Sequence, residues 1–167
     1  LAGVHEWIIT IHCAEITENG QDYAHFGAVH GVPYAPTTEF RADGWVRRNT
    51  VVAEMKTPKG LMTGTIDVTA TGPGQSITEY TDVTHVVQSQ QVTPIDAETT
   101  HLRWQMYHIP GLSEGKLRVT QARMRDLVRQ VQQDIPIWNA KRNEQRPLLV
   151  KGDGPILAYR EQYQRYY

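Results

Sequence analysis

The chain has 167 residues, 40% hydrophobic and 21% charged, with a net charge of −1, which allows one domain with its own core and is ordinary for a globular protein. No basic block marks a binder of nucleic acid or anionic membrane, and no apolar run approaches the ~20 residues of a membrane span. The single cysteine, Cys13, excludes an intrachain disulfide and any zinc or iron–sulfur site needing two thiolates from this chain.

The first residue is Leu1, and "LAGVHEWIIT" carries no basic n-region or signal-peptide core, so a mature fragment or excised domain in the cytoplasm is expected. "HEWIITIHCAEI" (5–16) is rich in β-branched residues and predicts a strand, with Cys13 a buried, inert thiol. "ENGQDYAHFGAVHG" predicts a short helix ending near Gly31 and Pro33. The stretch 32–60, with "GVPYAP" and "TPKG", is poorly periodic and predicts a loop. Strand candidates follow at "LMTGTIDVTAT", "QSITEYTDV", "HVVQSQQVTPI" and "THLRWQMYHI", separated by turn chemistry such as "TGPG" and "PIDAET". In the last of these, Leu102, Trp104, Met106 and His108 share one face. After "PGLSEG" a long helix is predicted over roughly 114–133, with Leu117, Met124, Leu127, Val128 and Val131 on one stripe. A shorter helix at "ILAYREQYQRYY" closes the chain. Strands followed by a long helix predict an α+β domain: one antiparallel sheet covered on one face, able to enclose an apolar pocket.

The chemistry concentrates at 18–30. Glu18 and Asp22 are four apart, and Asp22 and His25 three apart, so all three fit one helix face. His25 and His30 are five apart, about 140° around a regular helix, and do not meet at one metal without a kink, a π-bulge or a helix end between them. Gly27 offers such a place; the alternative is two solvated or core histidines. Extending the stripe of the long helix lands on Asp134, flanked by Val131 and Ile135. A carboxylate buried there needs a metal or an Arg or Lys partner, because burying it unpaired costs several kcal/mol. Pro136 follows and is expected to break the helix, and if the helix ends earlier Asp134 is solvated. Two His and one carboxylate with open positions opposite suit non-haem Fe(II), and zinc accepts the same ligands.

At this point "ENGQDYAHFGAVH" resembles the mononuclear-iron motif of the Rieske non-haem iron oxygenases, acidic-or-Asn-x3-Asp-x2-His-x4-His, with Glu18, Asp22, His25 and His30 at the matching positions. "QQDIPIW" resembles the segment supplying that family's third iron ligand, which puts Asp134 in the role. "VTPIDAETTHLRWQMY" and "GDGPILAYREQY" resemble the steroid and sterol branch, the 3-ketosteroid 9α-hydroxylases and cholesterol 7-desaturases. The resemblance implies a helix-grip (Bet v 1-like) sheet wrapped on a long C-terminal helix, with residues 1–167 forming the mononuclear-iron catalytic domain. It implies Fe(II) on His25, His30 and Asp134, and O2-dependent hydroxylation or desaturation of a hydrophobic, steroid-like substrate. One cysteine is too few for the family's [2Fe–2S] cluster, so that cluster is expected from a missing Rieske domain or another chain. An NAD(P)H-dependent reductase and a homotrimer are further implied partners. Asp22 is implied as the bridge between His25 and a neighbouring subunit's cluster, or as a carboxylate orienting His25. Trp104 and Met106 are candidates for the substrate pocket, and equally plain core residues. Two rivals stand beside this reading. One is a hydrophobic-ligand carrier with a vestigial iron site; the other is a zinc hydrolase with Glu18 as general base.

Overall fold

Alternation of period two builds the sheet. The computed structural model describes residues 1–31, 37–57, 60–142, 144–150 and 152–166, with the side chains at 37, 38, 53 and 55–57 excepted. Among the described residues the strands are β1 (Gly3–Ile9), β2 (Thr37–Asp43), β3 (Val46–Thr57), β4 (Gly60–Thr71), β5 (Gln75–Thr81), β6 (His85–Pro94) and β7 (Thr100–His108). They pair antiparallel throughout, in the order β1-β7-β6-β5-β4-β3-β2. The last six form a meander in chain order. β1 then closes onto β7, with Trp7 opposite Leu102 and Ile9 opposite Thr100.

The inner face changes character along the sheet. On β6 and β7 it carries Val86, Val92, Leu102 and Met106, all nearly inaccessible, and these form the core with Ile9 and Ile16. On β5 the buried positions are instead Ser76, Thr78 and Tyr80, while Ile77 is the one turned outward. Apolar surface removed from water stabilises by about 25 cal/mol per Å², so the β6–β7 end holds the fold. The more polar β5 end walls a cavity.

Helices cover that face: α1 (Cys13–Glu18), α2 (Tyr23–Ala28), the long α3 (Glu114–Ala140) and α4 (Ile156–Tyr163). Met124, Leu127, Val131, Asp134 and Trp138 give α3 its buried stripe at three- and four-residue spacing. This antiparallel sheet gripping one long helix is the α+β class expected from the sequence. No helix of the described residues is long and apolar enough to cross a membrane.

Three local expectations are corrected. The strand read over 5–16 stops at Ile9, and Cys13–Glu18 is helical. The His12 ring Nδ1 accepts the Ala14 N–H at 3.2 Å and caps α1, and Cys13 and Ile16 are then buried on one face of it. The stretch 32–60 contains the whole of β2 and β3, which pair as a hairpin about Gly44. Residues 32–36 and 58–59, with the expected Pro33 helix stop, lie outside the described residues.

The third correction matters most for the site. Pro136 does not break α3, which runs on to Ala140. A proline inside a helix costs about 3 kcal/mol through the lost hydrogen bond and a clash with the preceding turn. Here Pro136 and Gln132, whose carbonyl loses its partner, both face solvent. The turn beyond is held by tertiary contacts: Trp138 is buried, Asn139 Oδ1 accepts the Thr10 N–H at 3.0 Å, and Lys141 Nζ pairs with Glu15 at 2.6 Å and Glu18 at 3.0 Å. Those contacts outweigh the local cost.

Candidate metal centre

The helix that begins at α1 breaks at Asp22. Its backbone is extended (φ −85°, ψ 92°), and its carboxylate Oδ1 accepts the His25 N–H at 3.2 Å, so Asp22 caps α2. α2 ends at Ala28, and Gly31 with φ of 66° turns the chain away, a conformation that glycine adopts without cost. His30 therefore lies beyond the helix end. The 140° expected of a continuous helix no longer applies, and the two imidazoles meet with ring centroids 5.1 Å apart. The helix end, two residues before His30, does what Gly27 was considered for.

From the other side α3 supplies Asp134, 5% exposed. One ligand atom each from His25, His30 and Asp134 lie within 4.8 Å of one another. His30 Nε2 is 3.3 Å from Asp134 Oδ1.

Each imidazole is oriented through its other nitrogen. His25 Nδ1 donates to the backbone carbonyl of Asp22, and His30 Nδ1 donates to Gln133 Oε1 at 3.1 Å. A carbonyl only accepts, so Nδ1 carries the proton in both rings and Nε2 is left for a ligand. Asn19 joins the two halves: its amide Nδ2 donates to His25 Nε2 at 3.2 Å and to Asp134 Oδ2 at 3.3 Å.

Protonation follows from these contacts. Burial holds the His25 pKa below its ordinary 6.5, against the opposing pull of the Asp22 carbonyl and the Asp134 charge. Burial also works against a charged His30, but the hydrogen bond and charge of Asp134 overcome it and raise the pKa above 6.5. The Asp134 charge that favours a proton on His30 Nε2 would favour a metal cation in the same place. Bonds of roughly 2.0–2.2 Å would need the widest pair of donors to draw slightly closer. The donor set of two imidazoles and one carboxylate fits Fe(II), with zinc accepting the same ligands.

The triad opens onto a cavity of about 390 Å³, within the range of small-molecule pockets. Ile16, Phe26, Val51, Ile66, Leu127 and Trp138 supply much of its apolar wall. Its aromatic groups are pinned: Trp104 Nε1 donates to the cross-strand Gln90 at 2.9 Å, and the Tyr80 hydroxyl donates to Gln88 at 2.9 Å. Burial pushes the Tyr80 pKa up to about 12, so it remains a neutral donor.

A model of the family described as 3-ketosteroid 9α-hydroxylase C-terminal domain matches residues 2–167. The chain belongs to this family. Its fold is that of Rieske oxygenase catalytic domains. NdmB of Pseudomonas putida CBB5 superposes with a TM-score of 0.67 at 17% identity, over 95% of this chain and 48% of that one. The quaternary ammonium Rieske monooxygenase CntA, in complex with γ-butyrobetaine, gives 0.65 at 14% identity, over 98% and 47%. Dicamba monooxygenase bound to dicamba gives 0.74 at 11% identity, over 98% and 57%. The chain thus spans about half the length of the solved chains it matches. No curated protein sequence matches it.

Several residues take other roles in the fold than their sequence positions suggest. Glu18 does not face the site: its carboxylate takes Arg160 Nε at 2.6 Å and Lys141 Nζ at 3.0 Å. That pairing removes it as a general base. Its neighbour Asn19 is the polar residue at the triad, because the turn Asn19–Gln21 that follows α1 rotates it inward. Asp22 orients the His25 ring with its carbonyl, while its carboxylate caps the helix. Trp104 lines the cavity, whereas Met106, two residues along β7, is wholly buried in the core and takes no part in the wall. Asn19, Gln133 and Gln90 were missed. Gln133 adjoins Asp134, and that adjacency was the one signal available.

Proposed function

We propose that this chain is the iron-bearing catalytic domain of an O2-dependent oxygenase that hydroxylates or desaturates a hydrophobic, steroid-like substrate. The observation that carries the reading is the convergence of His25, His30 and Asp134 on the wall of a largely apolar cavity. The family description supports a 3-ketosteroid framework as the substrate class. Fe(II) held by these three side chains supplies the oxygen and redox chemistry, while the protein positions the substrate and excludes water.

The chain's own residues divide that work. The Asp22 carbonyl and Gln133 each hold the Nδ1–H of one histidine, which turns Nε2 of each ring toward the ion's position. Asn19 holds the second oxygen of Asp134. Trp104 and Tyr80, fixed by their glutamines, give the substrate a rigid wall. Electrons are proposed to come from a [2Fe–2S] cluster that this chain lacks the cysteines to bind, itself reduced by an NAD(P)H-dependent reductase, with Asp22 on the route from a neighbouring subunit. Nothing favours the carrier reading, and the pairing of Glu18 deprives the zinc-hydrolase reading of its base.

The test is anaerobic Fe(II) loading of the full-length protein, followed by titration with a neutral 3-ketosteroid. We expect one iron per mononuclear site, lost in His25→Ala, and saturable steroid binding. Iron retention by His25→Ala would overturn the ligand set, and failure of the steroid to bind would overturn the substrate class.

A further inference from the structure

Three arginines line the cavity, and two are matched by acids. Arg123 pairs with Asp82 at 3.1 Å and Asp126 at 3.3 Å, and Arg129 pairs with Asp126 at 2.6 Å. Arg47 is different. It projects from β3, is 7% exposed, and has no carboxylate within ion-pair distance among the described residues. Its guanidinium stacks over the Tyr159 ring at 4.9 Å, and Nη1 is closed off from solvent without a hydrogen-bond partner. Burial pulls its pKa down, and the groups that pull the other way are tyrosines rather than carboxylates.

A guanidinium stays ionised even when buried, so its charge needs an anion or strong acceptors close by. The ring of Tyr159 supplies part of that need. Thr17, Ser76 and Thr78, which line the same cavity, offer hydroxyls that carry no charge. Position matters as well. Arg47 and the metal triad line the same cavity, so a molecule filling it reaches both.

We propose that the substrate carries a carboxylate, and that Arg47 binds it in the cavity the metal triad also lines. The preferred ligand is thus an acidic steroid, a ring system with an oxidised side chain, with neutral steroids bound more weakly in the same cavity. The proposal rests on the substrate reading above and names its chemistry. Paired with the carboxylate, Arg47 gains the counter-charge that the described residues do not supply within ion-pair distance. The long ring system is then oriented end to end, which fixes the carbon presented to the triad.

The experiment compares binding of 3-oxocholenoic acid and its side-chain amide to the full-length protein by calorimetry at neutral pH, a readout independent of turnover. The acid should bind about 10–100-fold more tightly than the amide, the range of one buried charge-assisted contact. In Arg47→Met the acid should fall to the amide's level, and Arg47→Lys should keep part of the preference. The amide, which needs Arg47 only as a wall, reports whether each variant keeps its pocket. If Arg47→Met does not fold, the acid-to-amide ratio in the parent decides. Equal binding of acid and amide by the parent would overturn the proposal and leave the steroid reading standing. Binding of neither compound would overturn both.

Discussion

The backbone carbonyl of Asp22, not its carboxylate, accepts the Nδ1–H of His25. The side chain is engaged elsewhere, capping α2 through the His25 N–H at 3.2 Å. Asn caps helices as well as Asp does, so Asp22→Asn removes the charge and preserves both the cap and the ring orientation. The variant should keep its iron and its fold. If Asp22 lies on the electron route, NADH-driven hydroxylation in the reassembled enzyme should still collapse. His25→Ala should lose iron outright. Iron content and NADH-coupled turnover measure the two effects separately, and parent-level turnover by Asp22→Asn would remove Asp22 from the route.

Gln133 bears on His30 in a different way, through a side chain that mutation reaches. Removing its Oε1 in Gln133→Ala leaves the His30 Nδ1–H without its 3.1 Å acceptor and frees the ring to turn. Loss of such an orienting partner weakens metal binding by about 10–100-fold. Chelator competition for Fe(II) should show that loss with the circular dichroism spectrum unchanged. Unaltered affinity would mean that Asp134 alone sets the His30 geometry.

Glu18 predicts an acid response. It is 6% exposed and takes both Arg160 and Lys141. Burial pushes its pKa up, but the two cations outweigh this and hold it below 4.5. A depressed folded pKa contributes stability in full above the unfolded value, and that contribution disappears as pH falls through the folded one. Glu18→Gln should therefore cost about 1–2 kcal/mol at neutral pH, less than a fully buried pair would lose, because Lys141 keeps Glu15 and both cations reach solvent. Below pH 4.5 its stability should fall less steeply than the parent's. Parallel urea-denaturation curves across that range decide the matter.

Pro136 sits in a helix that does not break. Its solvent-facing position lets Ala restore the missing N–H to the Gln132 carbonyl without repacking the interior. The gain of a helix bond, less the extra freedom of the unfolded chain, should stabilise Pro136→Ala by about 2 kcal/mol, or roughly 4–8 °C in Tm. A lower Tm would show that the proline's distortion is itself needed to seat Trp138.

Periodicity and residue chemistry were enough to place β4 to β7, the stripe of α3 and the polar segment 18–30, because those signals are local. A strand's alternation or a helix's stripe is written into consecutive residues. What failed locally was decided by distant partners. α3 passes Pro136 because Asn139 and Lys141 are held by residues more than a hundred positions away and Trp138 is buried in the core. The weakly periodic 37–57 becomes two strands because β4 and its neighbours give their backbone groups partners. The site divides in the same way. The spacing of His25 and His30 by itself left open whether they meet, and the break at Asp22 with the end of α2 at Ala28 brings them together. Glu18 and Asn19 are adjacent and both polar, and the sequence favoured the acid. Arg160 and Lys141, approaching from the far end of the chain, draw Glu18 outward and leave Asn19 facing Asp134. The sequence determined which groups were available. Charge pairing and burial across the folded chain determined which of them face the cavity, since those energies exist only once remote segments are in contact.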